Sequence, residues 1–131
     1  QAPFNLIDQR LVSSGWLDKL YLSGIEVHTR SAFLQGLLLM PINEIPKKFK
    51  NWLPLFITWH DWLHDNNISA LKACIGFVQM HSQIKKFVVG VESTKQLRQL
   101  IQVEKEQTSI VFPYINCSDE QLINPSNWNL L

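Results

Sequence analysis

Two constellations in the sequence could carry chemistry. His60-Asp61-Trp62-Leu63-His64 sets two imidazoles at i and i+4 on a helix, the spacing used by zinc-binding helices. A metalloprotease would need Glu after the first His, and Asp61 has the shorter reach. A third ligand would have to come from His28, His81 or a scattered carboxylate, so the bland alternative is a solvated flank beside a tryptophan stripe. The second constellation is KKFVVGVESTKQLRQLIQ, Lys85 to Gln102. Phe87-Val88-Val89 reads as a buried strand, Gly90 ends it, and Ser93 with Gln96 forms a capping box that starts a helix near Thr94. Leu97, Leu100 and Ile101 mark the apolar face of that helix. A strand that feeds through a glycine turn into a capped helix leaves N–H groups free at the strand's carboxyl end, where they attract anions such as phosphate. An ordinary strand-helix unit with nothing bound would carry the same pattern.

No nucleophile elbow, phosphate-binding P-loop or paired acid/base motif is present. Cys74 and Cys117 have no metal or redox spacing; Cys74 falls on an apolar helical face beside Ile75 and Val78, which predicts a buried, inert thiol. Trp52, Phe56 and Trp59 read as core or subunit-contact residues rather than a ligand cage.

These residues need positioning elements. Asp8 is placed to cap a helix over Gln9 to Ser23, with Leu11, Val12, Trp16, Leu17 and Leu20 inward and Gly24 as the left-handed residue after its end. Gln1 to Leu6 reads as the end of a strand, with Pro3 at its end or on an edge. Ile25 to Thr29 is a second strand. A long helix should follow Pro46, with Pro54 as a bend or first-turn residue and Asn66-Asn67 as its stop. Ser69 starts another helix, to about His81, and Ser118-Asp119-Glu120-Gln121 is a second capping box in a tail that runs from Glu106. Strand and helix alternate, which predicts parallel strands with right-handed crossovers. Three strands leave two open sheet edges, so the chain should either belong to a larger sheet or pair with a copy of itself.

At 131 residues, with 46% hydrophobic and 18% charged residues, the chain has the makings of one globular domain over 1–131. A net charge of +1 without basic blocks argues against nucleic acid or a membrane surface as partner. The least charged stretch, Ser31 to Asn43, is too short and broken to span a bilayer. The chain opens on Gln1 without an initiator Met, and is expected to be part of a longer protein.

The segments QAPFNLID, HTRSAFLQGLLL, VVGVESTKQLRQLI and SDEQLINPSNW, in this order, resemble the carboxyl-terminal half of the aldo/keto reductases. The resemblance spans nearly the whole chain. It implies an α/β fold that is a partial (β/α)8 (TIM) barrel, about three βα units with parallel strands plus a C-terminal extension. It also implies a cytoplasmic oxidoreductase that reduces a small carbonyl substrate by hydride transfer from NADPH or NADH, without a metal. Carried over by position, Gln1 matches the residue that holds the nicotinamide carboxamide, and Arg30 stands where many members stack an aromatic ring on the nicotinamide. Ser31, Phe33, Gln35 and Gly36 match the phosphate loop. Gly90, Glu92, Ser93, Gln96 and Gln99 fall in the adenosine-end segment.

The chain departs from the family pattern in three places. Glu92 occupies a position usually small or hydroxylic; a carboxylate there repels a 2′-phosphate and suits a ribose diol, which leaves NADPH and NADH both open. Gln99-Leu100 replace the Glu-Asn pair that commonly holds adenine. The catalytic Asp, Tyr, Lys and His of the family have no counterpart in these 131 residues, so no catalytic residue is assigned and the missing half of the barrel is an implied partner. The rival reading is a non-catalytic half-barrel module that self-associates.

Overall fold

A computed structural model describes residues 1–106 and 110–131. Three parallel strands form one sheet in the order β1 (Ala2–Pro3), β2 (Val27–Arg30), β3 (Ile84–Phe87). β1 and β2 align Ala2 with Thr29 and Pro3 with Arg30; β2 and β3 align Val27 with Ile84 and, after a bulge, His28 with Lys86 and Thr29 with Phe87. The molecule is thus a mixed α/β protein on a parallel sheet, as the alternation of elements predicts. Pro3 sits on an edge strand, where its missing donor breaks no ladder.

Both longer crossovers begin and end on local signals. The first contains α1 (Arg10–Ser13) and α2 (Trp16–Leu22) rather than one helix. Gly15 at φ +74° breaks the expected run, and the rotation it introduces turns Val12 and Trp16 outward while Leu11 and Leu17 stay buried. Asp8 is buried at the start of this segment, where its Oδ1 accepts from the Arg10 amide at 3.3 Å and its carboxylate also pairs with the Arg10 guanidinium at 2.9 Å. Gly24, at φ +71°, closes α2 in a Schellman motif, its N–H donating to Tyr21 O and that of Ile25 to Leu20 O. Ile25 is spent on that closure, which is why β2 starts only at Val27.

The second crossover holds α3 (Leu53–Asp65) and α4 (Ala70–Gln79). A 3-10 turn over Lys47–Trp52 leads in, and Pro54 occupies the first turn of α3, where its lost donor costs little. Asn67 at φ +48° ends α3 by the same Schellman pattern, with the Asn67 and Ile68 amides donating to His64 O and Leu63 O. The Ser69 hydroxyl accepts from the Lys72 amide at 3.2 Å and caps α4. Phe56, Trp59 and Leu63 of α3 and Cys74, Ile75 and Val78 of α4 are buried; Leu71 is only partly so. Both cysteines are free thiols, and burial pushes the Cys74 thiol well above its usual range, so it stays protonated and inert.

β3 differs from the expected buried strand at Phe87 to Val89. It pairs over Ile84–Phe87 and lies on an edge, and Val88 is 50% exposed. Its pairing ends because β2 turns away at Ser31, leaving Val89 nothing to pair with. α5 (Thr94–Glu104) follows, but only Leu100 of its apolar face is buried; Leu97 and Ile101 are exposed. In the tail, Asp119 rather than Ser118 caps α6 (Glu120–Ile123), accepting from the Gln121 amide at 2.9 Å. Residues 107–109 of the expected tail lie outside the described residues.

The tryptophans fasten the second crossover to the tail. Trp59 is fully buried and donates to Leu38 O at 3.0 Å, and stacks on Trp62 at 5.7 Å between ring centroids. The Trp62 indole donates to Val111 O, that of Trp52 to Asp119, and that of Trp128 to Leu122 O. Trp59→Ala should therefore cost about 3–5 kcal/mol in urea unfolding. A loss below about 1 kcal/mol would mean that α3 is not packed as described.

Candidate functional site

Outside the carboxyl ends of β2 and β3 lies an open cleft of about 1100 Å³. This is where parallel α/β sheets hold ligands, and the volume lies just above the usual range of about 300–1,000 Å³ for small-molecule sites. Arg30, Ser31, Phe33, Gln35 and Gly36 line one side; Gly90, Glu92, Gln96 and Gln99 line the other, with Ser69 and Ala70 at the start of α4 also in the wall. Two segments more than fifty residues apart in sequence thus share one cavity. The cause is the β2–β3 pairing, since each segment is the continuation of one of those strands.

The first wall is a tight loop. Ser31, Leu34, Gln35 and Gly36 all have positive φ, at 63°, 46°, 54° and 85°. Three non-glycine residues in the left-handed region within five positions store strain that the surroundings must hold. Leu34, Leu37 and Leu38 are buried beneath the loop and fix it from below. Asn5 fixes it from the side: its Nδ2 donates to Ser31 O at 3.0 Å, and its Oδ1 accepts from the Ile7 and Asp8 amides, each at 2.9 Å. The Gln35 and Gly36 amides find no acceptor among the described residues. Arg30 is exposed at the rim and donates to the Ser31 hydroxyl at 3.2 Å.

The second wall is the capped start of α5. The Ser93 hydroxyl accepts from the Gln96 amide at 3.2 Å. The Gln96 side chain reaches back to the Glu92 amide at 2.8 Å, one residue earlier than the Ser93 amide that a standard capping box would engage. Ser93 is thereby committed to the cap and is not part of the cleft lining, while Gln96 is. Gln1 stands at the amino end of β1 and is likewise outside the lining. Arg30 is the basic residue of the lining and Glu92 the acidic one.

Sequence reasoning missed Asn5, whose side chain holds the loop although it never enters the cleft. The available signal was an Asn at a strand's carboxyl end followed three residues later by Asp8, the pattern of a side-chain turn. It also placed Leu100 in the core of α5 without noticing that the residue also lines the cleft.

The histidine pair is not drawn into a cluster. His64 is open to solvent, and His60 is half-buried on α3, its Nε2 shielded and without a hydrogen-bond partner among the described residues. Among the described residues no group of three His, Cys, Asp or Glu side chains converges to hold a metal. No helix in the described residues is long and apolar enough to cross a membrane.

These features define a class: a parallel α/β domain with a polar-walled cleft at the strands' carboxyl ends. Comparison with known family models, with curated proteins and with solved structures finds no match for the chain.

Burial pushes the His60 imidazole below its usual value, against the opposing pull of the Met40 backbone and of Asp61. A group whose folded value is depressed contributes fully above its unfolded value, near 6.5, and its contribution fades as pH falls through the folded value. Thermal stability should therefore fall as the pH drops below about 6.5, and His60→Gln should flatten that slope while leaving the neutral-pH melting temperature little changed. An identical slope in the variant, read by circular dichroism melts, would remove His60 from the account.

Proposed function

We propose that the chain forms the cofactor-binding half of an NAD(P)-dependent aldo/keto reductase, in a barrel completed by further strands. One observation carries this reading. Of the residues that the resemblance makes cofactor contacts, all but Gln1 and Ser93 line a single cleft. Nothing in local sequence required Ser31 to Gly36 and Gly90 to Gln99 to meet.

In this reading the bound nicotinamide cofactor supplies the hydride, and the chain's own residues bind and orient it. The strained loop offers the Gln35 and Gly36 amides to a phosphate, with the Arg30 guanidinium beside it at the rim. The start of α5 offers the Thr94 and Lys95 amides, which its Ser93 cap leaves unbonded among the described residues, to the adenosine side, with Glu92 suited to a ribose diol. The carbonyl substrate and the proton donor belong to parts of the barrel that these residues do not supply, so the chain by itself should bind without turning over. A cytoplasmic setting follows from the same resemblance.

The test is a direct titration of the chain with NADH and NADPH, followed by isothermal calorimetry. Saturable binding of one equivalent is expected, and heats no greater than dilution for both cofactors would overturn the reading. Glu92→Ser removes the carboxylate nearest the proposed ribose position and should raise the NADPH-to-NADH affinity ratio by about tenfold, a change of ~1.4 kcal/mol. An unchanged ratio would take Glu92 out of cofactor discrimination.

A further inference from the structure

The two walls of the cleft differ in charge. Side chains alternate along β2: Val27 and Thr29 are buried with the core, while His28 and Arg30 point to the opposite face of the sheet. Arg30 ends the strand and lines the cleft at its rim. Its guanidinium donates to the Ser31 hydroxyl at 3.2 Å and forms no ion pair among the described residues. The carboxylates that could compensate it are committed elsewhere or stand apart. Glu26, on the same face of β2, is taken by His28 at 2.5 Å and Lys86 at 3.9 Å, and Glu92 belongs to the opposite wall. The wall from Arg30 to Gly36 thus carries one uncompensated positive charge.

On the cofactor reading above, the adenosine end lies against the start of α5, so the nicotinamide end falls to the Arg30 wall. NADH and NAD+ are the same molecule except at the nicotinamide ring, which is neutral when reduced and positive when oxidised. Every contact to adenine, ribose and phosphate, that of Glu92 included, therefore cancels when the two forms are compared. The charge of the ring against that of Arg30 does not cancel. Two like unit charges roughly 7 Å apart repel enough to weaken binding about threefold under the screening of bulk water, and more than tenfold under the screening typical near a protein surface.

We propose that the cleft discriminates the redox state of its cofactor, with Arg30 making it bind the reduced dinucleotide more tightly than the oxidised one. This inference rests on the cofactor reading and adds a direction to it. Arg30 favours uptake of the hydride donor and weakens the hold on the spent cofactor, whose release limits turnover in many enzymes. The same bias makes the bound dinucleotide a slightly weaker reductant. Tenfold tighter binding of the reduced form raises the two-electron potential of the bound couple by about 30 mV.

The experiment is isothermal calorimetry of the chain with NADH and with NAD+ at low salt, repeated on Arg30→Met and Arg30→Lys. The Arg30 side chain is exposed, so both variants should fold. The Kd for NADH is expected to be about tenfold lower than that for NAD+. The preference should fall at least threefold in Arg30→Met and be kept in Arg30→Lys, which retains the charge without the planar fork. Equal affinity for the two forms, a preference that persists in Arg30→Met, or one lost equally in Arg30→Lys would each overturn this inference and leave the cofactor reading standing. Binding of neither form would overturn both.

Discussion

Two consecutive carbonyls of β2 hold the molecule together. Thr29 O accepts from Val88 and Arg30 O accepts from Phe4, so one four-residue strand binds a neighbour on each side. That alternation aligns all three carboxyl ends at one level. Everything that follows those ends, the Asn5 turn, the Ser31–Gly36 loop and the Gly90–Ser93 turn, is thereby brought to the same rim. The central strand is short, and Thr29 is fully buried with its hydroxyl unpartnered among the described residues, so the alignment rests on backbone bonds and on apolar packing from the helices.

The strain in the Ser31–Gly36 loop makes sense against that frame. A loop with Leu34 and Gln35 in left-handed conformations would relax if it were free. It is held by leucines buried beneath it and by a buried Asn5 that bonds it from the neighbouring strand. Backbone that is strained, rigidly supported and turned toward a cavity is characteristic of sites prepared for a ligand. Beyond β3, half of the apolar stripe of α5 is exposed and the Phe87 backbone groups are unpaired among the described residues.

Much of this was legible in local sequence. Ser69 and Ser93 cap the helices they were expected to start, Gly24 and Asn67 close theirs, and Pro54 sits in a first turn, because each of these effects is decided within about five residues. The failures have a common cause in what lies farther away. Gly15 reads as a tolerable residue inside an apolar pattern, yet its left-handed conformation splits the helix and exposes Val12 and Trp16. Phe87-Val88-Val89 has the composition of a buried strand, but its pairing is set by where β2 ends, and β2 turns away at Ser31. Leu97 and Ile101 have the right spacing for a core face, and no described element covers them. The convergence of two distant segments on one cleft was expected from resemblance alone, since no periodicity could announce it.

The central claim is that the cleft between the Ser31–Gly36 loop and the start of α5 holds a nicotinamide dinucleotide across both walls. Hydrogen–deuterium exchange with and without saturating NADPH or NADH reads both walls at once. The account predicts slower exchange in Ala32 to Gly36 and in Gly90 to Gln96 together, with β1 and α3 unchanged. Protection confined to one wall, or none in either, would contradict it.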